Sequence, residues 1–236
     1  MTRPTRTEPT FSGVIGLIAN ALGRMRADDV SDLAQLRFGV RCDRPGDVIR
    51  DFHTAGAGPH RRTSPEFPGG VRQADDRIPS DHNKRLVPTH RYLLSGAAFL
   101  CGLEGETELL RSIAAGLKRP ARPLFLGRKA NPPSAPIWLA DGLRTDTGLL
   151  DALAEYPLGG LKDSAPSSLR LLVTASQDEP WDHMVRDIPI GPAFVARTFA
   201  PRRVRTLYLT VTPTPPFPIT NPHDPLDVWI PGDIVA

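Results

Sequence analysis

The chain has 236 residues, 40% of them hydrophobic, with a formal net charge of +3 and a pI near 9.1. That is enough apolar material for one sizeable domain or two small ones. Pro and Gly, at 26 and 20 residues, stay below the roughly 25–30% typical of low complexity, so long ordered loops are expected rather than global disorder. No apolar run approaches the ~18 residues of a membrane span, and the N-terminus is polar instead of a charged start followed by an apolar stretch. A cytoplasmic protein without a membrane partner is expected.

The first residues, TRPTRTEPTFSG, lead into an apolar stripe of Val14, Ile15, Leu17, Ile18 and Leu22, with Ser12 as the expected N-cap and Gly23 as the stop of a helix. A helical turn over 31–36 precedes RFGVRCD, where Phe38, Val40 and Cys42 alternate as on a half-buried strand, and VIRDFHT (48–54) reads as the next strand. Periodicity is lost over 55–83, a Gly-, Pro-, Arg- and Asp-rich stretch too long for an ordinary connection. Extended segments over 86–94 and 97–103 follow, separated by Ser95-Gly96, and ETELLRSIAAGLK is an amphipathic helix. RPARPLFLGRKANPPSAP is then a proline-punctuated loop, TGLLDALAEYP a short helix, and LRLLVTA and VRTLYLTVT are late strands. The Pro-rich tail is expected to dock through Phe217 and Trp229.

The order helix, strand, strand, helix, strand lacks only an opening strand to become the split βαβ pattern. The expected fold class is therefore α+β, with a ferredoxin-like or RRM-like domain over 1–140, a smaller C-terminal β-rich region over 141–211, and the tail over 212–236. Cys42 and Cys101 lie far apart within apolar segments and read as buried thiols in a reducing compartment.

Charge distribution says more than net charge. Of 29 basic residues only four are Lys (Lys84, Lys118, Lys129, Lys162), and Arg is the side chain that grips phosphate with a planar fork. An arginine-rich coding bias explains that ratio equally well. Two acid-free basic stretches are harder to dismiss: 111–129 with six positive charges, and 197–205 with four. Both suit a polyanion.

TRPTRTEPTFSGVIGLIANALG followed by RADDVSDLAQLRFGVRCD resembles the opening of the CasD family, subunit five of the type I-E CRISPR Cascade complex, in the RAMP superfamily. IRDFHTAG, THRYLLSGAAFLCGLEG, LKRPARPLFLGRKANPPSAP, and DEP with RTFAPRRV continue the resemblance in the same order over residues 2–204. The resemblance implies a subunit that caps the 5′ handle of the crRNA, contacts the adjacent backbone subunit, and holds the large subunit, meeting target DNA only through the complex. A long β-hairpin at about 52–92 would be a thumb that wedges against the RNA. Family members begin with a strand and a Gly-Pro, Gln-Ser/Ala-Trp-Gly loop ahead of the TRPT element, whereas this sequence starts at that element. The resemblance therefore implies a missing first strand, and with it an unpaired sheet edge or an exposed apolar strip.

The residue types fit a phosphate clamp. Thr5, Thr10 and Ser12 offer hydroxyls, Arg3 and Arg6 charge, and Gly13 close approach to a helix N-terminus whose N–H groups point outward. An ordinary capped helix is the alternative. Arg122, Gly127, Arg128 and Lys129 form a second candidate, against a solvated basic loop. Arg50, His53, Arg91 and Tyr92 flank the expected thumb, where Tyr92 suits base stacking or the core equally, and Phe52 reads as core. The thumb's Arg61, Arg62, Arg72 and Arg77 are offset by Glu66, Asp75, Asp76 and Asp81, a mixture that suits an arm ordered against a partner. Arg197, Arg202 and Arg203 suit RNA or an acidic neighbour. A metal-independent endoribonuclease and a generic basic nucleic-acid-binding domain are the alternatives. Cleavage needs a general base or acid near a 2′-hydroxyl, and His53, His60, His82 and His90 are available without a recognisable Lys or Tyr partner. No metal or other cofactor is expected, since DFH and DHN lack a second ligand cluster, and GVIGL lacks the Lys-Ser/Thr of a nucleotide loop.

Overall fold

Where the sequence alternates apolar and polar residues, the chain pairs into strands, and where it repeats them at helical spacing it forms short helices against those strands. The computed structural model describes residues 2–55, 87–158, 166–191 and 193–210. The expected thumb tip, with Arg61, Arg62, Arg72, Arg77, His60 and His82, and the Pro-rich tail with Phe217 and Trp229, lie outside the described residues. The elements in chain order are β1 (Thr2–Arg3), α1 (Phe11–Ala21), α2 (Ser31–Ala34), β2 (Arg37–Arg44), β3 (Asp47–Ala55), β4 (Val87–Ser95), β5 (Ala98–Glu104), α3 (Thr107–Lys118), α4 (Leu149–Glu155), β6 (Ser168–Thr174), β7 (His183–Pro189), α5 (Ala193–Ala196) and β8 (Phe199–Thr210). Mixed helices and antiparallel sheet make this an α+β chain.

It divides into two compact units. The smaller comprises residues 1–6 and 46–95 and holds a three-stranded sheet of order β1-β4-β3. β3 and β4 pair antiparallel without a break from Asp47↔Ser95 to Ala55↔Val87, and β1 runs parallel to β4. Phe52, expected in the core, is 57% exposed, as are Val48 and Ile49 at comparable levels. β-Branched and aromatic residues favour the extended chain wherever a ladder partner exists, whether or not a second layer covers them.

The larger unit, residues 7–45 and 96–236, holds a five-stranded sheet of order β5-β2-β6-β8-β7, antiparallel at every pairing. β6 and β8 thus continue the sheet that β2 and β5 begin. Side chains alternate across it. On one face α4 covers β2 and β5, and Leu149, Leu153 and Tyr156 close over Leu100, Leu169, Leu171 and Val173. That approach is close enough to require glycine: a Cβ on Gly39, or on Gly102 directly opposite it, would lie 2.7 Å from a Leu153 or Leu149 methyl. On the other face Phe11 of α1 stacks on Phe38 of β2 with ring centroids 5.2 Å apart, and α1 packs beside α3. β2 is consequently buried on both faces, not half-buried as its alternation suggested. The face toward α4 is filled by Gly39 and by Arg41, which is fully buried because its guanidinium meets Asp43 and the carbonyls of Leu153, Tyr156 and Pro157. β5, at one sheet edge, also keeps its apolar side chains covered. Cys42 and Cys101 are buried and unbridged, as expected.

β7 has no counterpart in the sequence reading. HMVRDIP buries a carboxylate, Asp187, where an apolar residue would have marked the pattern. Asp187 is neutralised by Arg202 of β8, with Oδ2 accepting from Nη2 at 2.8 Å and Oδ1 from Nε at 2.9 Å. Arg202 lies over the Phe11 and Phe38 rings and donates to Thr174. It is therefore an internal clasp among β6, β7, β8 and α1, not a surface cation.

Candidate nucleic-acid interface

Thr10 is extended, and it, not Ser12, is the N-cap of α1: its Oγ1 accepts from the Gly13 N–H at 3.2 Å. Thr10 wins because its φ of −87° and ψ of 152° keep it outside the helix while Ser12 already has helical geometry. Ser12 Oγ lies 3.4 Å from Thr10 Oγ1, so the two hydroxyls sit together. The Phe11 N–H donates to Asp187 at 2.9 Å. A carboxylate therefore already occupies part of this helix end, and an incoming phosphate would meet the hydroxyl pair and the Ser12 N–H, not the whole terminus.

The loop after α3 runs antiparallel along α1. Ala121 N–H donates to Ala21 at 2.9 Å, Asn20 donates to the Pro123 carbonyl at 2.8 Å, and a Cβ on Gly13 would come within 3.3 Å of Leu126. Two blocks more than a hundred residues apart are thereby brought to one place: Thr10, Ser12 and Gly13 on one side, and Gly127, Arg128 and Lys129 just beyond Leu126 on the other. Gly127 has φ of +74°, a left-handed turn with open space at its Cα, so the chain bends there, with Arg128 half-buried and Lys129 exposed. Arg122 belongs elsewhere in this arrangement. Its two terminal nitrogens donate to the Gly23 and Arg24 carbonyls at 2.9 and 3.0 Å, satisfying the far, C-terminal end of α1.

The remaining candidates lie in the smaller unit. Arg3 pairs in register with Arg91, and Thr5 and Arg6 are exposed, with the Thr5 hydroxyl donating to the Arg6 carbonyl at 3.3 Å. Arg50 and Tyr92 are direct cross-strand partners and share a face with Phe52 and His90, whose rings lie 5.2 Å apart. Arg91 and His53 project to the opposite face, where His53 contacts Asp51. The four residues that flank the expected thumb are thus divided two and two between the ladder's faces. Tyr92 is half-buried and Arg50 exposed.

Residues the sequence did not single out include Glu8 and Arg170, an ion pair that ties the stretch before α1 to β6 beside Cys42. Burial raises the Cys42 thiol above its ordinary value, with Arg170 acting in the other direction. The signal was the lone acid in TRPTRTEPTFSG. Tyr156, buried and donating to Asp141 at 3.0 Å, has its phenol pushed up to about 12, chiefly by burial. It remains protonated at neutral pH. Among the described residues no group of three His, Cys, Asp or Glu is placed to hold a metal, and no helix is long and apolar enough to cross a membrane.

Comparison with known proteins agrees with this architecture. The family described as CRISPR-associated protein (Cas_Cas5) matches residues 1–205. The CRISPR system Cascade subunit CasD of Escherichia coli K12 is 31% identical over 197 residues, covering 76% of this chain and 79% of the relative. A solved structure titled "Crystal structure of Cas protein" superposes with a TM-score of 0.65 at 40% identity, over 88% of this chain and 84% of that one. A chain of a "CRISPR RNA-guided surveillance complex" superposes with a TM-score of 0.67 at 29% identity, over 89% and 82%.

Proposed function

The chain belongs to the family of CRISPR-associated proteins (Cas_Cas5), and from that premise we propose that it is a non-catalytic Cascade subunit that binds and caps the 5′ handle of the crRNA. In this reading it also links the backbone subunits to the large subunit during antiviral DNA interference in the cytoplasm, and its paired β3 and β4 are the base of a thumb on a ferredoxin-like domain. The observation that carries the reading is the approach of Leu126, the residue before the Gly127–Lys129 turn, to Gly13 at the end of α1 that Thr10 caps. Two adjacent hydroxyls and a glycine turn bearing two cations suit a bent phosphate backbone, which needs donors at short range and no base edge to read. Affinity carried by such contacts falls steeply with salt. Arg50 with Tyr92 supplies, on the ladder, a cation and a ring of the kind on which an unpaired base stacks. Arg3, Thr5, Arg6, His53 and Arg91 complete the proposed contact set.

The contact of His53 with Asp51 is the one observation that favours an endoribonuclease, because a carboxylate orients an imidazole for proton transfer. Such cleavage needs a second group on the other side of the scissile phosphate. His90 projects to the opposite face of the ladder, and the raised Tyr156 phenol is a poor proton acceptor at neutral pH. The test is to express the chain with the other Cascade subunits and a repeat-containing transcript, with and without the crRNA-processing subunit, and to sequence the RNA that co-purifies. Capping predicts a defined 5′ handle only when the processing subunit is present. Mature ends formed without it, and lost on His53→Ala or His90→Ala, would instead establish catalysis.

A further inference from the structure

The two arginines at 202 and 203 are neighbours in sequence and point to opposite faces of the five-stranded sheet. Arg202 is the internal clasp, whereas Arg203 emerges on the face where the α4 cluster covers β5, β2 and β6 and is joined by Leu207 and Leu209 of β8. At the β7–β8 end, Met184, Arg186 and Arg203 are exposed among the described residues. Register puts Met184 opposite Arg203 and Arg186 opposite Pro201, and Arg205 follows Arg203 by two residues, so Met184, Arg186, Arg203 and Arg205 share it. Trp181, 44% exposed, stands beside them with the Arg203 guanidinium 5.9 Å from its ring centroid. Among the described residues none of the three arginines has a carboxylate within ion-pair distance. Two of the three acids of the preceding turn are committed elsewhere: Asp182 accepts from the Thr206 N–H, and Glu179 from Arg37 and the Ser176 N–H.

We propose that this end of the sheet, Trp181, Met184, Arg186, Arg203 and Arg205, is a second surface for single-stranded nucleic acid, on the opposite face of the sheet from α1. Three forked cations, of which Arg203 donates only to the Gln177 carbonyl at 3.4 Å and none meets a carboxylate among the described residues, call for a polyanion, and the Trp181 ring beside the Arg203 guanidinium offers the flat face that single-strand binding adds to phosphate contact. An acidic protein segment would match the charge but would have no use for the ring.

Trp181 supplies its own probe. In a full-length Trp138→Phe, Trp229→Phe chain it is the sole indole, and its emission reports this face alone. Titration with uridylate or thymidylate oligonucleotides of about twenty residues, enough for at least one binding site, should quench it. The RNA or DNA that binds more tightly names the strand involved. Arg203→Ala should weaken the response about fivefold and flatten the dependence of log K on log salt by about 0.7, the share of one phosphate contact. If that variant loses its native circular dichroism, Arg186→Gln carries the same prediction. Absence of quenching by either oligonucleotide, or equal quenching by polyglutamate of matched charge, would overturn the proposal, the latter in favour of an acidic protein partner. Failure here leaves the handle-binding reading standing, and failure of that reading leaves the Trp181 response.

Discussion

β2 and β3 follow one another in the chain and read alike, each a short alternating stretch with an arginine inside it, yet they belong to different environments. Arg41 on β2 is fully buried because an acid and three carbonyls come to it. Arg50 on β3 is exposed, and so are Val48, Ile49 and Phe52 on the same strand. A strand's composition thus says that it will pair, but what packs on its faces decides whether its cation is a structural bolt or is left for a ligand.

The largest effect that sharpens this contrast is on stability. Arg41→Leu takes the guanidinium away from the buried Asp43 carboxylate and three carbonyls and should cost about 3–5 kcal/mol, whereas Arg50→Leu should leave the denaturation midpoint nearly unchanged; chemical denaturation of both variants checks this. A midpoint for Arg41→Leu equal to that of the unmodified chain would break the comparison. Next in size is the cap of α1. Thr10→Ala should cost about 1 kcal/mol and Ser12→Ala only a few tenths, and the same denaturation series would show the reverse order if Ser12 were the cap.

The smallest effect is in acid. Arg24 donates to both Asp32 oxygens, at 2.6 and 2.5 Å, and this bond holds the carboxyl below its ordinary 3.8. Because the folded value lies below the unfolded one, the pair's contribution is complete above the ordinary value and fades as pH falls through the folded value. With Asp32 partly exposed to solvent the loss should be small. The denaturation midpoint of the unmodified chain should fall between pH 5 and pH 3 by slightly more than that of Arg24→Ala, and equal falls would dissociate the pair from acid stability.

Much of the larger unit was legible because its signals are local. The stripe from Val14 to Leu22 marked α1, ETELLRSIAAGLK marked α3, and apolar alternation marked β2, β6 and β8. β7 was hidden because its inward position is Asp187, whose partner Arg202 is fifteen residues away, and a long-range ion pair leaves no periodicity. Ser12 and Thr10 are both capping residues in the sequence, and only backbone geometry separates them. Phe52 reads as core because aromatic residues usually are, and no sequence pattern declares how far a strand's face will be covered. As for the site, residue types suggested both the Thr10–Gly13 and the Gly127–Lys129 blocks, but their meeting depends on the 119–128 loop lying along α1, a tertiary contact. The same contact gave Arg122 a carbonyl-binding place at the other end of the helix.

The most direct measurement is the affinity of handle-containing RNA for the assembled complex carrying Arg128→Ala with Lys129→Ala, followed from low to high salt. Removal of two phosphate contacts should weaken binding about tenfold at low salt and reduce the slope of log K against log salt by about 1.4, with the lost protection confined to the 5′ handle. Unchanged affinity, slope and handle protection in a complex that still assembles would contradict the placement of the handle at this end of α1.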